Sequence, residues 1–160
     1  MKNINFYQSL IHALHGLASA VKRERNLRFH IVIANLICYF GCFYGLERLE
    51  WGLLAVTITL VIGAEIINTS IEKTVDTATR EKRTDAKHAK DIGAAATLVT
   101  AVGALAVGVA LFGNPDKIGQ ALQGIFTNPA AFAAALVLGI LDILFLFLPV
   151  LITKKFRRKR

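Results

Sequence analysis

The chain has 160 residues, 54% of them hydrophobic and 19% charged, with a mean hydropathy of +0.51. That balance leaves too little polar surface for a soluble globule and points to a small all-α integral membrane protein. The net charge of +8 does not indicate nucleic acid, because the basic residues stand at the ends of apolar runs and not along one soluble face. No cleavable signal is expected within Met1 to Arg28, which lacks a compact apolar core and a small-residue cleavage site, so the first span is expected to direct insertion.

Residues 4–22 follow a helical period, with Phe6, Leu10, Ala13, Leu14, Leu17 and Val21 on one stripe and Gln8, His12, His15 and Ser19 opposite. Such a helix lies in the membrane interface or packs on partner helices. A charged hinge follows, in which Glu24 is the only acid among Lys22, Arg23, Arg25 and Arg28; a lone acid there is ordinarily a local ion-pair partner. Phe29 to Leu46 supplies 18 residues without Lys, Arg, Asp or Glu. At about 1.5 Å per residue that stretch just crosses a hydrocarbon core of roughly 30 Å. Cys38 and Cys42 fall within it at helical spacing and read as free, buried apolar groups. A tight turn over residues 45–50 leads to Trp51, an aromatic anchor opening a second span over 51–71.

Residues 77–89 are charged, and a third span over 92–113 is rich in Ala and Gly, which allows close backbone approach within the bundle or between subunits. Gly113-Asn114-Pro115 reads as a break, and residues 114–128 as a polar connection. A fourth span over 130–153 carries Asp142, which needs a partner that the sequence does not name. The basic tail after Thr153 reads as a stop-transfer anchor or as an anionic-lipid patch. Lys and Arg number five in residues 1–28, six in 72–91 and six in the tail, against one each in the 46–51 and 113–128 connections. The positive-inside rule then places both termini and the 72–91 segment in the cytoplasm of a multi-pass protein.

The polar residues of the second span carry the chemistry. On a helix, Glu65, Asn68, Glu72 and Asp76 point to about 0°, −60°, −20° and +20°, one stripe roughly 80° wide. A carboxylate within a membrane costs about 3 kcal/mol unless it is paired, metal-bound or water-facing, so a functional site is expected. The plainer alternative is a helix leaving the membrane with a solvated acidic face. Acids beside a basic loop suit phosphoryl transfer to a lipid alcohol, with carboxylates on Mg²⁺, Lys on phosphate and a further carboxylate taking the hydroxyl proton. No Walker A, glycine-rich kinase loop, H-R-D or D-F-G pattern occurs, and His12, His15, His30 and His88 make no zinc pattern.

Glu65-Ile-Ile-Asn-Thr-Ser-Ile-Glu-Lys-Thr-Val-Asp76, followed by Ala89-Lys90-Asp91-Ile-Gly, resembles a signature of the small bacterial integral-membrane lipid kinases, the diacylglycerol kinase and undecaprenol kinase family. Its pattern E-x-x-N-[ST]-[AS]-I-E-x-x-x-D, then A-K-D, is matched at every position. Glu24-Arg-Asn-Leu-Arg-Phe-His30 is similar to the family's E-x-N-x-R-x-H element. The resemblance covers about residues 5–112, so a lipid kinase domain is expected over 1–113 and an extension over 114–160.

The resemblance implies that Glu65 is the general base and that Glu24 and Glu72 hold the Mg²⁺ accompanying ATP. It also implies that Lys90 contacts phosphate with Asp91 orienting it, and that Asn68 and Asp76 position nucleotide and site groups. Asn26, Arg28 and His30 would face the lipid. Family members are homotrimers with shared sites in the bacterial cell membrane. His30 stands where Gram-negative diacylglycerol kinases carry an acid, and the histidine form resembles the undecaprenol kinase branch. The expected reaction is thus phosphorylation of undecaprenol, with diacylglycerol as the alternative acceptor. From other classes, a non-catalytic scaffold would not need so complete a signature, and an ion carrier would not need Lys90 and Asp91.

Overall fold

The computed structural model of the chain describes residues 5–157 apart from 80 and 82, with the backbone alone for 148–157. Six helices follow one another: α1 (Phe6–Arg23), α2 (Arg25–Tyr44), α3 (Arg48–Ala78), α4 (Thr84–Phe112), α5 (Pro115–Thr127) and α6 (Pro129–Arg157). There is no strand among the described residues. The helices α2, α3, α4 and α6 are long and apolar enough to cross a membrane, as the all-α membrane class requires. The basic side chains of the tail, expected as an anchor or lipid patch, lie outside the described residues.

The boundaries follow from single residues. Glu24 alone separates α1 from α2; its backbone is extended (φ −96°, ψ 116°) while its N–H still closes the last turn of α1 on the Ala20 carbonyl at 2.8 Å. Gly45 ends α2 in the left-handed region at φ 76°, where a Cβ is disfavoured. Glu47 then caps α3, and its own N–H donates to the Glu50 carboxylate at 2.7 Å, a reciprocal arrangement that leaves few orphan N–H groups. The Trp51 ring lies over Gly41 and packs the α2–α3 hairpin together. Cys38 and Cys42 are both free, and Cys42 is exposed on the surface of the single chain, not buried.

The segment 114–128 is not the expected polar connection. Asn114 and Pro115 start a helix instead of only breaking one: the Asn114 side chain accepts from the N–H groups of Asp116 (3.0 Å) and Lys117 (3.2 Å), and Pro115 takes the first helical position, where no donor is lost. The resulting α5 turns Ala121 and Ile125 inward and packs on α2 and α6. Around the α4–α5 corner, the Tyr44 hydroxyl accepts from the Asn114 N–H at 3.3 Å, and Tyr44 and Phe40 pack on Phe112.

The most extensive packing is between α3 and α4, an antiparallel pair joined by the charged segment after Ala78. On its other side α2 receives α5 and α6, while α1 lies across the ends of α2 and α3. The apolar stretches of α4 and α6 are almost wholly uncovered within one chain, as expected of surfaces that meet lipid or further subunits.

Candidate functional site

The polar stripe of α3 runs from buried to exposed along a single helix. Glu65 is 4% exposed, Asn68 is 8% exposed, Glu72 is half-buried and Asp76 is exposed. The stripe therefore begins inside the bundle and opens at the end where the charged loop lies. The Asn68 amide donates to the Glu72 carboxylate at 3.4 Å, a long contact, and its Oδ1 is buried without a partner. That oxygen occupies the space where a side chain on Gly93 of α4 would go: a Cβ there would lie 2.7 Å from it. Gly93 thus lets α4 close onto the stripe at the level of Asn68, an instance of the close backbone approach that the Ala- and Gly-rich span allows.

Lys90 crosses the same seam and pairs with Asp76. Asp91, expected to orient it, is exposed and has no ion-pair partner among the described residues. The reason is helical geometry: neighbouring residues diverge by about 100°, so the acid facing an ammonium on α4 comes from the adjoining helix and not from the next position. Beside this pair lies a cleft of about 630 Å³ lined by Asp76, Thr79, Glu81, Arg83, Lys87 and Lys90. Arg83, just before α4, and Lys87, in its first turns, were missed as site candidates because the charged segment over 77–89 read as a connection with no spacing signal.

Glu24 arrives from the α1–α2 break. Its carboxylate accepts from Lys73 of α3 at 2.8 Å, so the lone acid has a partner 49 residues away and not a local one. Lys73 directly follows Glu72, which brings both acids to the same end of the bundle. Asn26 is exposed and His30 half-buried. Phe29 and His30 line an apolar cavity of about 420 Å³ between α2, α3 and α4, with Val61 and Ile62 of α3, one turn before Glu65, in its wall. Arg28, expected to face lipid, is 2% exposed. Its guanidinium donates to the carbonyls of Val21, Lys22 and Leu146, which commits it to holding helices together.

These residues form a buried acid above an apolar cavity, an amide and two further acids at the rim, and a lysine with a basic cleft beyond it. A family model described as prokaryotic diacylglycerol kinase matches residues 11–112. The chain belongs to the prokaryotic diacylglycerol kinase family. It is similar to the undecaprenol kinase of Bacillus subtilis, with 35% identity over 67% of this chain and 87% of that protein. The diacylglycerol kinase of Helicobacter pylori is 34% identical over 58% of this chain and 73% of its own length. That of Synechocystis is 32% identical over 69% and 64%. No solved structure gives a significant match. All the stripe residues lie within the matched segment, and α5 and α6 lie beyond it.

As a member of this prokaryotic diacylglycerol kinase family the chain is a lipid kinase, a multi-pass membrane enzyme that uses ATP. Nucleotide-bound Mg²⁺ is held by one or two carboxylates together with phosphate oxygens, and takes hard oxygen donors. Glu24 and Glu72 carry such oxygens; Glu72 stands on α3 between the residues that wall the apolar cavity and those that line the charged cleft, and Glu24 is held at that end of α3 by Lys73. Among the described residues no three acids or histidines converge as a cage for a metal held by protein alone.

Proposed function

We propose that the chain transfers the terminal phosphoryl group of ATP to the hydroxyl of undecaprenol at the cytoplasmic face of the bacterial cell membrane. The observation that carries this reading is the gradient along α3. A nearly fully buried carboxylate, Glu65, stands between an apolar cavity able to take lipid chain and a charged rim able to take nucleotide. In this reading Glu65 accepts the proton of the lipid hydroxyl as the oxygen attacks phosphorus. Glu24 and Glu72 hold the Mg²⁺ that comes with ATP, and Asn68 orients Glu72. Lys90 leaves Asp76 to meet phosphate oxygens, with Asp91 and the basic cleft nearby. Mg²⁺, when bound, supplies charge neutralisation on the phosphate oxygens.

Undecaprenol is preferred over diacylglycerol for two reasons: the Bacillus subtilis relative bears the name undecaprenol kinase, and His30 stands at the cavity wall in place of an acid. The names of the Helicobacter pylori and Synechocystis relatives support diacylglycerol as the second acceptor. We assign the kinase unit to residues 1–113 and the extension to 114–160, with both termini cytoplasmic by their Lys and Arg content. We also assign a homotrimer with sites shared between subunits; the uncovered, small-residue surface of α4 supports it.

The deciding experiment is phosphate transfer from labelled ATP by the purified protein in detergent, with undecaprenol and diacylglycerol offered separately and in competition. Labelled undecaprenyl phosphate as the dominant product is expected. Dominant labelled phosphatidic acid would assign the enzyme to diacylglycerol, and no labelled lipid in the presence of Mg²⁺ would reject the reading.

A further inference from the structure

The family match ends at Phe112, yet the chain beyond it returns to the residue that fixes the α1–α2 break. Arg28 sits in the first turn of α2 and is nearly fully buried. Its Nη1 donates to the carbonyls of Val21 (2.9 Å) and Lys22 (3.0 Å) in the last turn of α1, and its Nε donates to the Leu146 carbonyl of α6 at 3.3 Å. A guanidinium presents donors in several fixed directions of one plane, so it can hold two helices at once; an ammonium on a flexible stem cannot reproduce that span.

The rest of the α2–α6 seam fixes the register that delivers Leu146 to Arg28. Asn35 donates to Asp142 Oδ1 at 3.0 Å, and the Tyr39 hydroxyl donates to the Ala131 carbonyl at 2.6 Å. Ascending positions on α2 thus meet descending positions on α6, an antiparallel seam with three polar contacts. Asp142 is 5% exposed and its Oδ2 has no partner, so the Asn35 contact is the one polar hold on that carboxylate among the described residues. Glu24, the single residue between α1 and α2, is reached from this seam through Arg28 and the last turn of α1.

We propose that α6 is a positioning element of the kinase site: by engaging Arg28 it holds the α1–α2 break, and with it Glu24, against the rim of α3. The proposal rests on the reading of Glu24 as a ligand of nucleotide-bound Mg²⁺. It gives the extension a task inside the same subunit, and it accounts for a buried arginine whose partners include a helix outside the family match.

The test uses the full-length protein in detergent and two readouts: amide hydrogen exchange across residues 20–28, and the Mg²⁺ concentration giving half-maximal phosphate transfer. Asp142→Trp puts bulk into the seam one turn from Leu146, and Asp142→Leu removes the polar hold without that bulk. For Asp142→Trp, exchange at the break is expected to rise about tenfold. Its Mg²⁺ requirement is also expected to rise about tenfold, the scale on which outer partners of metal ligands act. Arg28→Lys should do the same, the double variant Arg28→Lys/Asp142→Trp should do no more than either alone, and Asp142→Asn, which keeps an acceptor for Asn35, should leave both readouts at their wild-type values. Unchanged exchange at the break in both Asp142→Trp and Asp142→Leu would overturn the proposal, as would effects that multiply in the double variant. Should Asp142→Trp fail to fold, Asp142→Leu with Arg28→Lys gives the same comparison. Faster exchange in a protein that phosphorylates neither lipid would reject the kinase-site reading and leave the hold of α6 on the break in place.

Discussion

The α3–α4 seam and the α2–α6 seam each bury a carboxylate to nearly the same degree, Glu65 at 4% and Asp142 at 5% exposed, yet surround it in opposite ways. On α3 the acid begins a stripe that continues through Asn68 and Glu72 to Asp76 and Lys90 at the charged end of the bundle. On α6 the acid meets one amide, Asn35, and its second oxygen has no partner among the described residues. Burial of an acid within a membrane protein therefore does not by itself mark chemistry. What distinguishes the two is a graded row of polar groups leading from the acid to water, the feature on which the proposed catalytic role of Glu65 rests.

The largest expected effect tests the α3 side of that contrast. Glu65→Gln keeps size and polarity but cannot take a proton, and should lower turnover about a thousandfold, within the range of general-base loss, while ATP binding is kept. Turnover near that of the wild type would remove Glu65 as the base. Next comes Glu72→Ala, expected to raise the Mg²⁺ requirement by about 10- to 100-fold if Glu72 is a metal ligand. An unchanged Mg²⁺ titration would reject that assignment.

A smaller and more selective effect is expected from Gly93→Ala. The added Cβ would stand 2.7 Å from Asn68 Oδ1, so the amide must swing away from Glu72. Alanine also favours the helix by about 0.8–1 kcal/mol, which offsets the strain of moving a flexible side chain. Thermal unfolding in detergent should therefore change little while the Mg²⁺ requirement rises about tenfold, on the outer-partner scale. A large loss of stability with unaltered Mg²⁺ dependence would mean that Gly93 serves helix packing alone.

The contrast between the two acids is partly legible in the sequence. The four spans, the surface helix and the stripe follow from local composition and the 3.6-residue period, and α2, α3, α4 and α6 lie where apolar runs placed them. Residues joined by tertiary contacts left no such trace. Nothing in spacing tells Glu24 to seek Lys73, Lys90 to prefer Asp76 over its neighbour Asp91, or Arg28 to turn inward onto backbone carbonyls. The helix α5 was hidden for a different reason: Asn114-Pro115 has the chemistry of both a helix stop and a helix start, and only the inward placement of Ala121 and Ile125 decides between them.

The smallest expected effect is that of Asp142→Asn, and it completes the comparison with Glu65. Asp142→Asn retains an oxygen acceptor for the Asn35 amide and removes a carboxylate for which no other partner is found among the described residues. Its turnover, acceptor preference and Mg²⁺ requirement should match those of the wild type within about twofold, since a surviving hydrogen bond of ordinary strength keeps the seam in register. The same acid-to-amide change at Glu65 keeps its shape as well and is expected to remove nearly all activity. Measured side by side in one preparation, the two substitutions separate the need for a carboxylate from the need for a polar group of that size. If Asp142→Asn were as damaging as Glu65→Gln, the acid on α6 would have to act as an acid, and the division between a reactive seam and a fastening seam would fall.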